Sequence, residues 1–319
     1  MMTPDNINPN ILEKILKLEE KYQAMGQDLS SYLEGLLYAD YLKYWDYTHL
    51  DNLLSLQHPK TEFKDEMIFI IYHQITELYF KLILWEMDQI AEKGKSDVEF
   101  LKARMQRVIN YFENLVHSFD VMVDGMEKEQ FLKFRMSLLP SSGFQSGQYR
   151  MIEVCSTDLL HLVAHDKRAD FDSESSAEEL YEAIYWKYGA TELATGKKTL
   201  TLKHFEEKYS EELLRRAKRF KDTNLNQLLK AHPQDEGLKE LFKKYDATAN
   251  LYWPLSHYKS AVRYLQRSPE DIAATGGTNW QKFLPPRFQK IIYFPDLWTA
   301  QEKEEWGKGW VLKQLGLES

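Results

Sequence analysis

Phe69-Ile70-Ile71-Tyr72-His73 lies inside an apolar stretch from about residue 64 to 92, and the reading of that stretch decides the fold. Met67, Ile68, Ile71, Ile75, Leu78, Leu82 and Met87 recur at three- and four-residue spacing, which predicts one long helix. Its apolar arc is too broad for a helix that is fully exposed. On such a helix Phe69 and His73 stand one above the other, a ring beside an imidazole. A buried imidazole without a partner costs about 1–3 kcal/mol. His73 therefore bonds locally or faces a cavity where a ligand meets it.

The same periodicity continues outward. Ile11, Leu12, Ile15, Leu16 and Leu18 predict an N-terminal helix ended by Gly26, and residues 97–119 predict a second long helix. Charge-rich helices are expected near 177–188 and 204–229, and another over 237–265, broken or kinked near Pro254. Residues 199–202 and 291–294 are short strand candidates, and 140–147, 189–198 and 273–279 read as loops. The predicted fold is all-α: a single domain over 1–319, with a hydrophilic helical insertion at about 170–235 expected outside the main bundle.

Composition narrows the function. Hydrophobic residues make up 43% and charged ones 28%, enough for a sizeable core. A net charge of −8 argues against a nucleic-acid partner, whose phosphates need a basic face. The basic run Arg215-Arg216-Ala217-Lys218-Arg219 alternates with acids and reads as a solvated helix face. Cys155 is the single cysteine, so an intrachain disulfide, a Cys-x-x-Cys zinc site and covalent haem attachment are excluded. No secretory signal and no membrane span is expected, and a reducing cytoplasm is the expected compartment.

Several constellations can carry chemistry. His73 and His257 both sit in apolar helical contexts, the second just after Trp253-Pro254. No Glu-x-x-His occurs, which argues against a di-iron bundle. His161 and His165, one helical turn apart, read as surface or core histidines. Phe131 and Arg135 repeat the ring-and-cation spacing of Phe69 and His73, and Arg135 precedes the loop Pro140-Ser141-Ser142-Gly143-Phe144-Gln145-Ser146. An arginine so placed can clamp a carboxylate with two parallel hydrogen bonds. Thr275-Gly276-Gly277-Thr278 lets backbone approach a ligand closely, but lacks the lysine and context of a phosphate loop.

In order along the chain, these pieces resemble the tryptophan 2,3-dioxygenase family. The resemblance rests on Tyr44-Trp45-Asp46-Tyr47, Gln57-His58-Pro59, the run Asp65 to Gln74 and Glu77-Leu78. It continues through Phe134-Arg135, Ser141 to Ser146, Gln148-Tyr149-Arg150, His257 with Arg263, and Thr275-Gly276-Gly277. It implies an all-α protein assembled as a homotetramer, a dimer of dimers, holding a non-covalent haem b that is ferrous when active. The implied reaction adds both atoms of O2 across the indole C2–C3 bond of L-tryptophan to give N-formyl-L-kynurenine. His257 would be the proximal haem ligand and His73 the distal catalytic residue near the indole nitrogen. Arg135 would bind the substrate carboxylate, Thr275 with Gly276 its ammonium and carboxylate, and Phe69 and Phe131 the indole. Tyr44 and Tyr47 match residues that reach the pocket of a neighbouring subunit.

Three features depart from the family pattern. The interval from His257 to Thr275 is 18 residues, Thr278-Asn279-Trp280 replaces small residues, and Tyr79 stands where Trp is usual. Two alternatives stay open: a related haem oxygenase for another indole or aromatic amino acid, and a non-catalytic helical haem- or partner-binding protein.

Overall fold

A computed structural model describes residues 7–39, 43–138, 143–172, 174–191, 197–265 and 286–307. The chain is all-α, and it divides into two compact units, 1–56 and 57–319. Among the described residues the only β pairings are two isolated bridges, Val163 with Ile184 and Thr191 with Lys198.

The first unit holds α1 (Pro9–Ala24), α2 (Leu29–Leu37), α3 (Tyr44–Tyr47) and α4 (Leu50–Leu54). Asn8 and Asp28 cap α1 and α2 by accepting hydrogen bonds from backbone N–H groups of the first turn. After α1 the chain turns at Gly26, whose φ of 65° suits glycine. These helices build almost no core: Leu29 is the only buried hydrophobic residue among the described residues of the unit. Leu12, Leu16, Tyr32, Leu36 and Leu37 are exposed.

The second unit is organised by α5 (Asp65–Lys93). Asp65 and Glu66 place negative charge at its N-terminus, as the helix dipole favours. Glu66 is buried, and its carboxylate accepts from the N–H groups of Lys60 and Thr61, both at 2.8 Å, and from the Thr61 hydroxyl. Burial raises the Glu66 pKa, but these donors outweigh it and the net shift is downward. Tyr72, Thr76, Phe80, Ile83, Met87 and Ile90 form a stripe at helical spacing that is buried in the core. Opposite them, α6 (Val98–Ser118) buries Leu101, Met105, Val108, Phe112 and Leu115. Full burial of each such side chain contributes about 1.5–3 kcal/mol.

Only part of the predicted apolar arc faces inward. Met67, Ile71, Ile75, Leu78 and Leu82 are exposed, and Trp85 continues their line. The helix is apolar on both faces, and periodicity alone does not say which face meets the chain's own core. Among the described residues α5 is also the one helix long and apolar enough to cross a membrane, by length and composition only. Its buried stripe is that of a core helix.

Short helices α7 (Asp120–Val123) and α8 (Lys128–Phe134) follow, then α9 (Gly147–Ser156). Gln148 on α9 donates to both the backbone carbonyl and the carboxylate of Glu77 on α5, each at 2.8 Å. The next elements are α10 (Ala177–Glu182), α11 (Tyr185–Gly189), α12 (Leu200–Arg219) and α13 (Leu225–Ala231). Thr199, read as strand, is the N-cap of α12 and accepts from the Leu202 N–H. A Cβ on Gly147 would lie 2.5 Å from Tyr209 Cε1, so glycine is what lets α9 and α12 close on each other. The segment 170–235 does not stand outside the bundle. Leu202, Phe205, Leu213, Phe220, Leu225 and Leu228 belong to the same core as α5 and α6. A hydrophilic average hid one apolar stripe at helical spacing.

The predicted break near Pro254 is a change of helix type. The chain passes from α14 (Glu236–Ala247) through a π-helical turn, Thr248–Tyr252, into α15 (Trp253–Leu265). Pro254 has no N–H to offer the Asn250 carbonyl, and the widened turn accommodates the missing bond. Residues 291–294, the other strand candidate, are buried but pair with no strand among the described residues. Their partner is the buried Asp246. Its carboxylate accepts from Tyr293 N–H (3.0 Å), Phe294 N–H (3.2 Å), Trp298 Nε1 (2.9 Å) and Asn250 Nδ2 (2.7 Å). Asp246→Asn turns part of this acceptor into a donor facing donors. It is expected to destabilise the protein by about 2–4 kcal/mol, read as a lowered urea midpoint at fixed protein concentration.

Candidate active site

Helices α5, α8 and α15 bring a cluster of rings together. Phe69 lies 6.5 Å from Phe131 and 5.8 Å from Phe134, centroid to centroid. Phe131 lies 4.6 Å from Tyr264 of α15. Arg135 ends α8 where the helix tightens into a 3-10 turn, and it is only 4% exposed. Burial pushes its pKa down, but a guanidinium is so strongly basic that it stays charged at neutral pH.

His73 stacks at 4.0 Å on Phe69, with Nδ1 2.7 Å from the Phe69 carbonyl oxygen. A carbonyl oxygen only accepts, so Nδ1 carries the proton and Nε2 keeps its lone pair. The ring remains open to solvent. Desolvation by the surrounding protein pushes its pKa down, against the Phe69 carbonyl and the Glu77 carboxylate.

His257 repeats the arrangement on α15. Its Nδ1 is 3.0 Å from the Trp253 carbonyl oxygen, which fixes the same tautomer. Trp253 and Phe119 each pack at 4.4 Å against its ring. Desolvation first, and then a charge on His73, push the His257 pKa down to about 4, while the Trp253 carbonyl opposes the shift. A charge on His73 thus disfavours protonation of His257. A line of rings joins them: His73 to Tyr72 (6.4 Å), Tyr72 to Phe119 (5.6 Å), Phe119 to His257 (4.4 Å).

Phe69, His73, Phe131, Arg135 and His257 therefore sit on three helices that share one ring cluster and its extension. Tyr44 and Tyr47 lie on α3 in the first unit, 72% and 75% exposed. Thr275 and Gly276 lie outside the described residues, as do Thr278-Asn279-Trp280. Arg263 is exposed, 4.0 Å from Asp124. Tyr264, Phe134, Phe119 and Trp253 belong to the same region; Phe134 and Trp253 were named from the sequence only as neighbours of Arg135 and His257, and Tyr264 and Phe119 were not named. Tyr264 carried a signal, seven residues beyond His257 and hence on the same helix face. Phe119 carried none, because its place depends on how α6 meets α15. Among the described residues no three His, Cys, Asp or Glu side chains converge, so a metal here would rest on single imidazole donors.

Fold and ring cluster together define an all-α protein with two histidines held in one tautomer and a buried arginine on neighbouring helices. The chain belongs to the tryptophan 2,3-dioxygenase family, whose sequence profile matches residues 34–255. It is 45% identical over 120 residues to the tryptophan 2,3-dioxygenase of Ruegeria sp. (strain TM1040), covering 36% of this chain and 42% of that protein. It is 34% identical over 167 residues to that of Ruegeria pomeroyi, covering 50% and 60%. To that of Rattus norvegicus it is 39% identical over 131 residues, covering 37% and 30%. The chain thus spans roughly a third to three-fifths of the length of these curated relatives. The family match ends at residue 255, just short of His257.

The depressed His257 pKa has a consequence for the ligand-free chain. Between about pH 6.5 and 4 the unfolded state binds the proton and the folded state does not, so stability falls as pH falls through that window. The slope from this group is at most about 1.4 kcal/mol per pH unit, less for a half-buried ring. Urea midpoints of wild type and His257→Gln across that range should converge toward low pH.

Proposed function

We propose that this protein is a haem-dependent dioxygenase that converts L-tryptophan and O2 to N-formyl-L-kynurenine. Family membership supplies the reaction class. The observation that carries the assignment to residues is the pair His73 and His257, each tied by Nδ1 to the carbonyl one turn before it.

A haem b held at His257 would supply the activation of O2. The donor chemistry fits: the Trp253 carbonyl holds the His257 Nδ1 proton, leaving a neutral Nε2 as ligand atom. Desolvation by Phe119, Trp253 and their neighbours keeps that ring unprotonated at neutral pH.

On the opposite wall the His73 Nε2 lone pair accepts the indole N–H, which fixes the orientation of the ring. Phe69 and Phe131 flank the indole and exclude water from it. Arg135 takes the substrate carboxylate with two parallel hydrogen bonds, strengthened by its burial. Thr275 and Gly276 are assigned the ammonium and the rest of the carboxylate. The protein's own work is to bind, orient and keep dry.

The active form is read as a homotetramer, a dimer of dimers, in which Tyr44 and Tyr47 complete a neighbouring subunit's pocket. Its support, among the described residues, is exposed apolar surface: the outer stripe of α5, and a first unit in which Leu29 is the only buried hydrophobic residue. Surface of this kind marks an interface.

Haem titration tests the ligand assignment. His257→Ala should keep its helical circular dichroism and lose the Soret band, whereas unchanged haem uptake would remove the assignment. Arg135→Ala should keep haem and raise the tryptophan KM at least about tenfold, as expected for losing a charged hydrogen bond worth roughly 1.5–3 kcal/mol. Mixed tetramers of Tyr47→Ala and His257→Ala subunits should regain activity that neither variant has alone; no recovery would mean that each pocket is completed within one subunit.

A further inference from the structure

A second cavity, of about 380 Å³, lies between the loop that follows α9 and the segment that runs from Lys290 into the last described helix. It shares no lining residue with the histidine pair. Its charged and titratable lining is Arg168, Lys290, Lys303, His161, His165 and Glu304.

Two of the cations here, Arg168 and Lys303, are held in place without being neutralised. Arg168 donates from Nε to the Val163 carbonyl (2.9 Å) and from Nη2 to the carbonyls of His161 (2.7 Å) and Lys290 (3.4 Å). Lys303 Nζ donates to the Pro295 carbonyl (3.2 Å). Among the described residues none of Arg168, Lys290 and Lys303 makes an ion pair. Other buried cations of the same unit do, such as Arg150 with Glu153 at 2.7 Å and Lys187 with Glu206 at 2.8 Å. Carbonyl oxygens orient a guanidinium but leave its charge in the cavity. Lys290 also adopts a left-handed backbone, φ 47°, unusual for a residue with a side chain. Three positive charges, two of them held by carbonyls, face one carboxylate, that of Glu304, and this surplus of two is relieved by a doubly charged anion.

We propose that this cavity binds a small organic dianion, carried on a phosphate monoester or a dicarboxylate. The volume exceeds what a bare oxyanion fills and leaves room for a short organic part.

The two histidines make the site responsive to protons. Thr157 Oγ1 donates to the Tyr293 carbonyl at 2.5 Å, so it accepts from His161 Nδ1 at 2.7 Å. His161 Nε2 is left as a lone pair. Burial, Arg168 and Lys230 hold the His161 pKa below its ordinary value, against Asp158 and the Tyr293 backbone. Burial, Arg168 and Lys290 do the same to His165, against Asp166. Lys303 adds positive charge and Glu304 negative charge to the same cavity. An anion among these groups reverses the sign of the local field, so binding draws protons onto the imidazoles and turns lone pairs into donors.

Isothermal titration of the 319-residue chain with sulfate tests the site, because sulfate is a fixed dianion across the pH range used. At constant ionic strength in chloride, sulfate should bind saturably at one site per subunit. Titrations near pH 6.5 in buffers of different ionisation heat should show proton uptake, reduced in His161→Gln/His165→Gln. Lys290→Gln/Lys303→Gln should raise the dissociation constant at least about tenfold. Lys303→Gln alone, which removes one bond to a carbonyl, keeps the test available should the double variant fail to fold. Succinate and glycerol 2-phosphate, run in parallel, separate the two carriers, and tighter binding of either than of sulfate supports the proposal. No saturable binding by any of the three, or a constant unchanged in the lysine variants, overturns it. Heats are read without turnover, so the result is independent of the haem assignment.

Discussion

One helix with two apolar faces governs this molecule. The inner stripe of α5, from Tyr72 to Ile90, forms the centre of the second unit's core, and α6 and α9 pack against it. Because that face is fully engaged, His73 and the line from Met67 to Trp85 are turned away from it. Glu66 fixes where the helix begins by gathering three donors from the preceding turn. A slip in that start would rotate Phe69 and His73 by about 100° per residue. The site therefore inherits its register from a buried carboxylate at the helix N-terminus.

His257 is positioned by a different device. The π-turn before Pro254 changes the helical phase between α14 and α15 and allows Trp253, Phe119 and His257 to meet. On the α14 side, Asp246 anchors the segment 293–298 and with it Phe294, which stacks at 4.7 Å on Phe242. Both imidazoles are then locked by the same local means, Nδ1 to the carbonyl four residues earlier. The carbonyls fix the tautomer but by themselves favour the charged ring, and desolvation outweighs them and pushes both pKa values down. A carboxylate in the same place would raise the pKa by favouring the charged form.

The helices and the all-α class were legible because apolar periodicity is local. So were Phe69 with His73 and Phe131 with Arg135, since four-residue spacing on a helix is already a spatial statement. What stayed hidden depends on packing between distant segments. The face of α5 that meets the core, the place of 170–235 in that core and the contact of Tyr264 with Phe131 are not encoded in any short window. Residues 291–294 looked like strand because β-branched and aromatic residues there are buried, yet their backbone bonds go to a side chain instead of a ladder. His161 and His165 were read as a helical pair. A 3-10 turn ends at Leu162 between them, and the chain then leaves the helix. Of the motif residues behind the family resemblance, several prove to be scaffold: Gln148 ties α9 to Glu77, and Arg150 is locked to Glu153 and Tyr185.

That last group points to how buried charge is divided in this fold. Arg150 meets Glu153 at 2.7 Å and Tyr185 at 2.7 Å; Arg216 meets Asp88 at 3.2 Å and Glu212 at 3.8 Å. Each cation is matched by an acid within the chain, and breaking such a pair strands a charge at a cost of about 3–5 kcal/mol. Arg168 is held with similar geometric care by three carbonyls, yet its charge is left over. The difference is one of purpose. A cation paired inside the chain joins two elements and is then electrostatically spent. A cation oriented only by carbonyl dipoles is held still while its attraction for an anion stays intact, which is the condition a pre-organised binding group has to meet.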